Sequence, residues 1–221
     1  MSSTPSASNT NTTFSVTPSS NLSSDTTYKT RITTGVKDLA GNALGSTYTT
    51  SNGFTTADIT APTLSQVTAV STPTSDNTPS YTFSSTEAGT ITYGGSCSSA
   101  TTSATTGNNT VTFSELADGT YSDCTITVTD SASNTSSTLN VNTFIVDTTA
   151  PTLSQVTAVS TPTSDNTSSY TFSSTEAGTI TYGGYCSSAT TSATTDNNTV
   201  TFSELADGTY SDCTITVTDS A

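Results

Sequence analysis

The chain contains no histidine and no tryptophan, and only three of its 221 residues are basic: Lys29, Arg31 and Lys37. Each shortage narrows the functions open to it. Without histidine, the abundant Ser and Thr hydroxyls have no partner to act as a base near neutral pH. Glu115 and Asp118 would be the carboxylate pair for a glycosidase, but they share one turn with no aromatic cleft around them. The expected class is therefore not an enzyme. A formal charge of -14 without a basic patch argues against nucleic acid and anionic membrane surfaces as partners. No apolar run approaches the roughly 20 residues of a membrane span, so no membrane insertion is expected. The uncharged, Ser/Thr-rich stretch after Met1 lacks the basic start and apolar run of a signal peptide, so export has to be argued from other features.

Leu, Ile, Val and Phe supply only 34 residues, a share that composition alone, with this charge, assigns to disorder. Two features override that assignment. The segment from Asp58 recurs from Asp147 at an offset of 89 residues. Over the 75 paired positions only four differ, Ile59/Thr148, Pro79/Ser168, Ser96/Tyr185 and Gly107/Asp196. Tandem copies suit a spacer better than an active site. Within a copy, the sparse apolar residues alternate in short runs bounded by turn formers, with no helical period. Strands are expected at Leu64 to Val70, at Tyr81 and Phe83, at Ile91 and Tyr93, and at Val111 and Phe113. Two more are expected from Tyr121 to Val128 and from Leu139 to Val146. Turns are expected at Glu87 to Gly89, Gly107 to Asn109, Asp118-Gly119 and Asp130 to Asn134. Six or seven short strands in 89 residues is the count of an Ig-like sandwich. The expected architecture is all-β, a series of tandem Ig-like β-sandwich domains arranged as an elongated rod. Its divisions are a partial domain at 1–57, a complete repeat at 58–146 and a second copy at 147–221. That second copy stops before any equivalent of Leu139 to Val146, so it is expected to expose an edge, and the natural protein to continue beyond Ala221. A strand supplied by a neighbouring chain is the alternative.

Residues 12–56, with the strand around Tyr28 followed by GVKDLAGNAL and an aromatic strand ending in Thr55-Thr56, resemble the C-terminal half of the bacterial Ig-like domain first described in S-layer proteins. The later copies resemble Ig-like repeats of large bacterial adhesins and biofilm proteins, through the DTTAP linker at Asp147, the Glu87-Ala88-Gly89 turn and the D-x-x-x-N turn from Asp130 to Asn134. The resemblance implies an extracellular, cell-surface stalk or adhesive array without catalysis. Its partners would be neighbouring Ig-like repeats of the same or identical chains, and any host or surface ligand would fall to other domains. The runner-up is an accessory module of a secreted enzyme, binding glycan or protein. For that reading Tyr185 is the one exposed-looking aromatic that differs between the copies.

In an exported sandwich, two cysteines per copy suggest an internal disulfide. The expected pairs are Cys97 with Cys124 and Cys186 with Cys213, each joining neighbouring strands of one sheet and closing a loop worth about 3 kcal/mol. Tyr121 stands near a tyrosine-corner context but three residues before Cys124, so a plain core tyrosine is expected there. The copy from Asp58 carries seven carboxylates and no Lys or Arg. Ig topology places the incoming linker beside the second-to-third and sixth-to-seventh strand loops. That would gather Asp147, Glu176 and Asp219 at the top of the last copy, with Asp76 and Asp118 of the preceding copy facing them. The upstream junction would use Asp25, Asp58, Glu87 and Asp130. Converging carboxylates without cations suit Ca²⁺ and its six to eight oxygen ligands. Asp is equally a common solvated turn residue, and both readings stand at this point. No cofactor is otherwise required.

Overall fold

The computed structural model describes residues 6–8, by backbone only, and 13–221. The part of the 1–57 and 12–56 assignments that falls on residues 1–5 and 9–12 lies outside the described residues. β1 (Ser6–Ser8), β2 (Thr13–Ser15), β3 (Thr27–Tyr28), β4 (Arg31–Ile32), β5 (Tyr48–Thr49) and β6 (Phe54–Thr55) form the antiparallel pairs β1–β2, β3–β6 and β4–β5. Tyr28 stacks on Phe54 at 5.9 Å, yet no residue from 13 to 57 is buried. Among the described residues there is no helix long and apolar enough to cross a membrane.

The first full copy comprises β7 (Leu64–Thr68), β8 (Ser80–Ser85), β9 (Gly89–Gly94), β10 (Ser103–Ala104), β11 (Gly107–Thr112), β12 (Gly119–Tyr121), β13 (Thr125–Thr129), β14 (Leu139–Asn140) and β15 (Phe144–Val146). One sheet has the order β11–β8–β7, the other β10–β9–β13–β14, and β12 pairs with β15. Alternation decides what each strand buries. Tyr81 and Phe83 of β8, Val111 of β11, Ile91 of β9 and Ile126 and Val128 of β13 all point into one core. The intervening positions carry hydroxyls that pair across strands, as Thr82 with Thr110 at 2.9 Å and Thr129 with Thr135 at 2.9 Å. Such pairs do on the solvated face what ion pairs cannot do in a copy without Lys or Arg. These two packed sheets form the Ig-like sandwich that the strand spacing predicts.

Three local expectations need correction. Tyr121 to Val128 is not one strand, because β12 ends at Tyr121 and β13 begins at Thr125. The backbone turns between them where Ser96 Oγ donates to Asp123 Oδ2 at 2.9 Å. There Gly95, at φ +72°, lies so close to the Asp123 carbonyl that a Cβ would collide. Leu139 to Val146 is likewise split. The Asn142 amide grips the backbone N–H and carbonyl of Val70, both at 3.0 Å, which pulls the chain off β13 toward the other edge. There β15 pairs with β12 and bridges Thr74 in parallel. Third, Asn108 and Asn109 belong to β11 rather than to a turn. The buried Asn109 amide accepts from Thr105 N at 2.8 Å and donates to the Thr105 and Gly107 carbonyls, closing the preceding turn from inside the sheet.

Tyr121 is half-buried rather than a core residue. Its ring stacks on Phe144 at 5.2 Å and its hydroxyl donates to the Ala117 carbonyl at 2.9 Å. A tyrosine bonding its own backbone four residues upstream is the tyrosine-corner arrangement. The separation of β12 from β13 removes the alternation that argued against it.

The second copy repeats the pattern in β16 (Leu153–Thr157), β17 (Ser169–Ser174), β18 (Gly178–Gly183), β19 (Ser192–Ala193), β20 (Asp196–Thr201) and β21 (Thr214–Thr218), with sheets β16–β17–β20 and β19–β18–β21. Its core is smaller. Phe172, Ile180, Val200, Phe202 and Val217 are buried. Tyr170, Val159, Leu205, Cys213 and Ile215, whose counterparts in the first copy are buried, are only partly covered.

Candidate functional site

Two features of the fold gather chemistry-bearing residues: the disulfides, and the acidic junctions where each copy begins. Cys97 lies just beyond β9 and Cys124 just before β13, and the antiparallel pairing of these strands brings their Cα atoms to 5.2 Å. Cys186 and Cys213 stand in the same relation, also at 5.2 Å. Both pairs are disulfide-bonded and no free cysteine remains. Cys97 and Cys124 are buried inside the core cluster, whereas Cys213 is only half-buried.

At the first junction Asp58, Glu87 and Asp130 each offer a carboxylate oxygen, and these lie within 4.8 Å of one another. The linker, the β8–β9 turn and the β13–β14 turn supply one residue each, as the topology of the sandwich requires. Asp130 is the best-held member. Its Oδ1 accepts from Ala132 N and Asn134 N, both at 2.8 Å, and its Oδ2 accepts from the Asn134 amide at 2.9 Å. Although burial pushes its carboxyl up, these bonds from Asn134 and its neighbours win and hold it below the ordinary Asp range. Asn134 also reaches the Asp58 carbonyl at 3.3 Å, tying the linker to the turn. Glu87 behaves oppositely: partial burial, then the charges of Asp58, Asp130 and Asp25, push its carboxyl above its ordinary value.

At the second junction the equivalent Asp147, Glu176 and Asp219 do not form a group as tight as the first, and Asp219 accepts from Ala221 N at 2.9 Å. Partial burial and the charges of Asp147, Asp219 and Asp118 push Glu176 up, and its Oε2 is buried without a hydrogen-bond partner. Asp118, from the preceding copy, clasps the linker. Its Oδ1 accepts from Thr148 N at 2.9 Å and Thr148 Oγ1 at 2.7 Å, and its Oδ2 accepts from Thr149 Oγ1 at 2.7 Å. Those bonds hold its carboxyl below the ordinary range. Asp76 does not join the group, because its Oδ1 accepts from Thr78 N at 2.8 Å and Thr78 Oγ1 at 3.0 Å in a local turn. Sequence reasoning missed the Thr148 and Thr149 hydroxyls. The one available signal was the Ile59/Thr148 difference, which gives this junction a side-chain donor where the upstream one presents an exposed Ile59. Upstream, Ser24 takes that place, accepting from Ile59 N at 3.0 Å and donating to Asp58 Oδ1 at 3.3 Å. Tyr185 is 78 % exposed, without an aromatic neighbour among the described stacked pairs.

Two sheets of these strand orders sharing one core define a protein module of the Ig-like β-sandwich class. Residues 1–56 match the family model of the bacterial Ig-like domain. No curated protein and no solved structure matches the chain. The domain match and the two disulfides are compatible with an extracellular or cell-surface protein.

Proposed function

We propose that this chain is a non-catalytic structural segment of a bacterial surface protein, a stalk or adhesive array in which Ig-like sandwiches follow one another as a rod. The observation that carries the reading is the near-identity of two copies that fold into the same strand order, each with its own core and its own staple. A module under tension gains from a covalent loop, because the enclosed residues cannot extend. Stretching the full chain between its ends is expected to unfold the two copies in separate steps. Reduction should lengthen each step by the 27 residues of the closed loop, about 90 Å at full extension. A single merged step, or steps unchanged by reductant, would overturn the reading.

The junctions support Ca²⁺ as a stiffening element within this same reading. Asp58, Glu87 and Asp130 supply three oxygens at close range, and the unpartnered Glu176 Oε2 needs a cation or a donor. At a free Ca²⁺ concentration a hundred times the dissociation constant, mass action adds about 2.7 kcal/mol, about 10–20 °C in melting temperature for a domain of this size. Without metal, the pH dependence has two arms of opposite sign. Glu87 and Glu176 bind protons more tightly in the folded state, so their stabilising contribution is lost as pH rises above the ordinary Glu value of 4.5. Asp118 and Asp130 bind them less tightly, so theirs is lost as pH falls below the ordinary Asp value of 3.8. In chelator at pH 7, Glu176→Gln should melt higher than the parent chain, and added Ca²⁺ should shift it less. Superimposable parent melts with Ca²⁺ and with chelator would remove calcium from the proposal.

A further inference from the structure

The linker between the two copies has almost no slack. Gly119 of β12 lies opposite Val146 of β15, so the register sets residue 118 opposite Asp147, where the backbone ladder stops. The Asp118 side chain carries the ladder on. Its Oδ1 takes the N–H and the hydroxyl of Thr148, and its Oδ2 takes the hydroxyl of Thr149. On the other edge of β15, Thr74 holds the same stretch. Its N–H donates to the Ile145 carbonyl and its carbonyl accepts from Asp147 N, both at 3.0 Å. The turn that carries Asp118 is itself fixed, because the Tyr121 hydroxyl donates to the Ala117 carbonyl. The second copy takes hold at Thr152, whose N–H donates to Thr175 Oγ1 at 2.9 Å and whose carbonyl accepts from Thr175 N at 3.1 Å. Between the two sets of bonds lie Ala150 and Pro151. The proline ring fixes its own φ and pushes the residue before it toward extended backbone.

Upstream the same place is filled differently. Asp25 stands three residues before Tyr28 as Asp118 stands three before Tyr121, and those tyrosines pair with Phe54 and Phe144. The stretch from Phe54 to Asp58 is one residue longer than that from Phe144 to Asp147, and Ile59 stands where the second linker has Thr148. Ile59 offers no hydroxyl; its N–H donates to Ser24 Oγ at 3.0 Å and its side chain is exposed. The copy that follows a different module thus carries Ile, and the copy that follows its own kind carries Thr.

We infer that Asp118, Thr148 and Thr149 form a lock that fixes the orientation of the second copy on the first, and that Thr148 fits a copy to a predecessor of its own kind. The partner across this interface is a second copy of the repeat itself. The lock rests on the reading of the chain as linked modules, but it needs no metal, because hydroxyls and an amide satisfy Asp118.

The test uses the full 221-residue chain, isotope-labelled, weakly aligned and in chelator. Residual dipolar couplings are read separately for residues 58–146 and 147–221. In the parent chain one alignment tensor should fit both copies. Asp118→Ala removes all three bonds and should give the second copy a tensor of its own. Thr148→Ile keeps the amide bond but loses the hydroxyl, and should fall between the two. Thr148→Ser should behave as the parent. Amide shifts of β8 and β17 that match the parent show that both cores stay folded in each variant. Separate tensors in the parent chain, a shared tensor in Asp118→Ala, or Thr148→Ile equal to the parent would overturn the inference. The stalk reading would survive any of these, since stepwise unfolding under force depends on each copy's core and staple rather than on their orientation.

Discussion

Reduction of the two disulfides is expected to lower the unfolding free energy of each copy by about 3 kcal/mol, about 10–20 °C in melting temperature. The reason lies in what each bridge encloses. Between Cys97 and Cys124 the chain first adds β10 to the edge of the β9–β13 sheet, then crosses to the opposite sheet to form β11, and returns through β12. Closing that 27-residue loop removes unfolded conformations in which β11 is far from its partners. Small domains retain only about 5–15 kcal/mol in total, and copies this poor in Leu, Ile, Val and Phe belong at the low end. The two bridges should also differ. Cys97 and Cys124 are both buried, while Cys213 is partly exposed beside an open cleft. Limiting reductant followed by alkylation and mass analysis should therefore label Cys186 and Cys213 first, and the second copy should lose its cooperative melt before the first. Equal labelling, or melts indifferent to reductant, would show that the staple contributes little.

Much of this architecture was legible because period-two alternation survives even in a chain dominated by Ser and Thr. Tyr81 and Phe83, or Ile126 and Val128, mark an inward face whatever fills the positions between them. The meeting of Asp58, Glu87 and Asp130 was legible for a different reason. Strand count suggests a sandwich, and the topology of a sandwich dictates which loops share an end. What escaped the sequence depends on single side chains bonding backbone at long range. Nothing local marks Asn142 as the residue that grips Val70, 72 positions away, so the split of the last strand into β14 and β15 had no signal. Asn109 was read as a turn former because Asn favours turns; it does close one, but from within β11. Asp76 and Asp118 look alike in sequence. One satisfies itself on Thr78, while the other finds Thr148 and Thr149 some 30 residues on.

Phe144→Ala should be the most damaging single substitution in the first copy, costing about 3–5 kcal/mol. The ring is fully buried, parallel to Phe113 within 3° at 6.1 Å and stacked on Tyr121 at 5.2 Å. Its removal leaves a hole between two flat rings that cannot collapse without moving β12. It also loosens β15, which keeps its pairing with β12, the buried Val146, and the backbone bonds of Ile145 to Thr72 Oγ1 and Thr74 N. The variant should thus come to resemble the second copy, with Tyr121 exposed as Tyr210 is. Calorimetry of the full chain should show the first copy's transition falling to or below that of the second, which stays in place. The neighbouring Ile145, 41 % exposed on the same strand, provides the control, since Ile145→Ala should change stability by no more than about 0.5 kcal/mol. Equal effects at the two positions would mean that β15 is held by its backbone alone. The aromatic stack would then be a passenger of the fold rather than the reason the first copy closes.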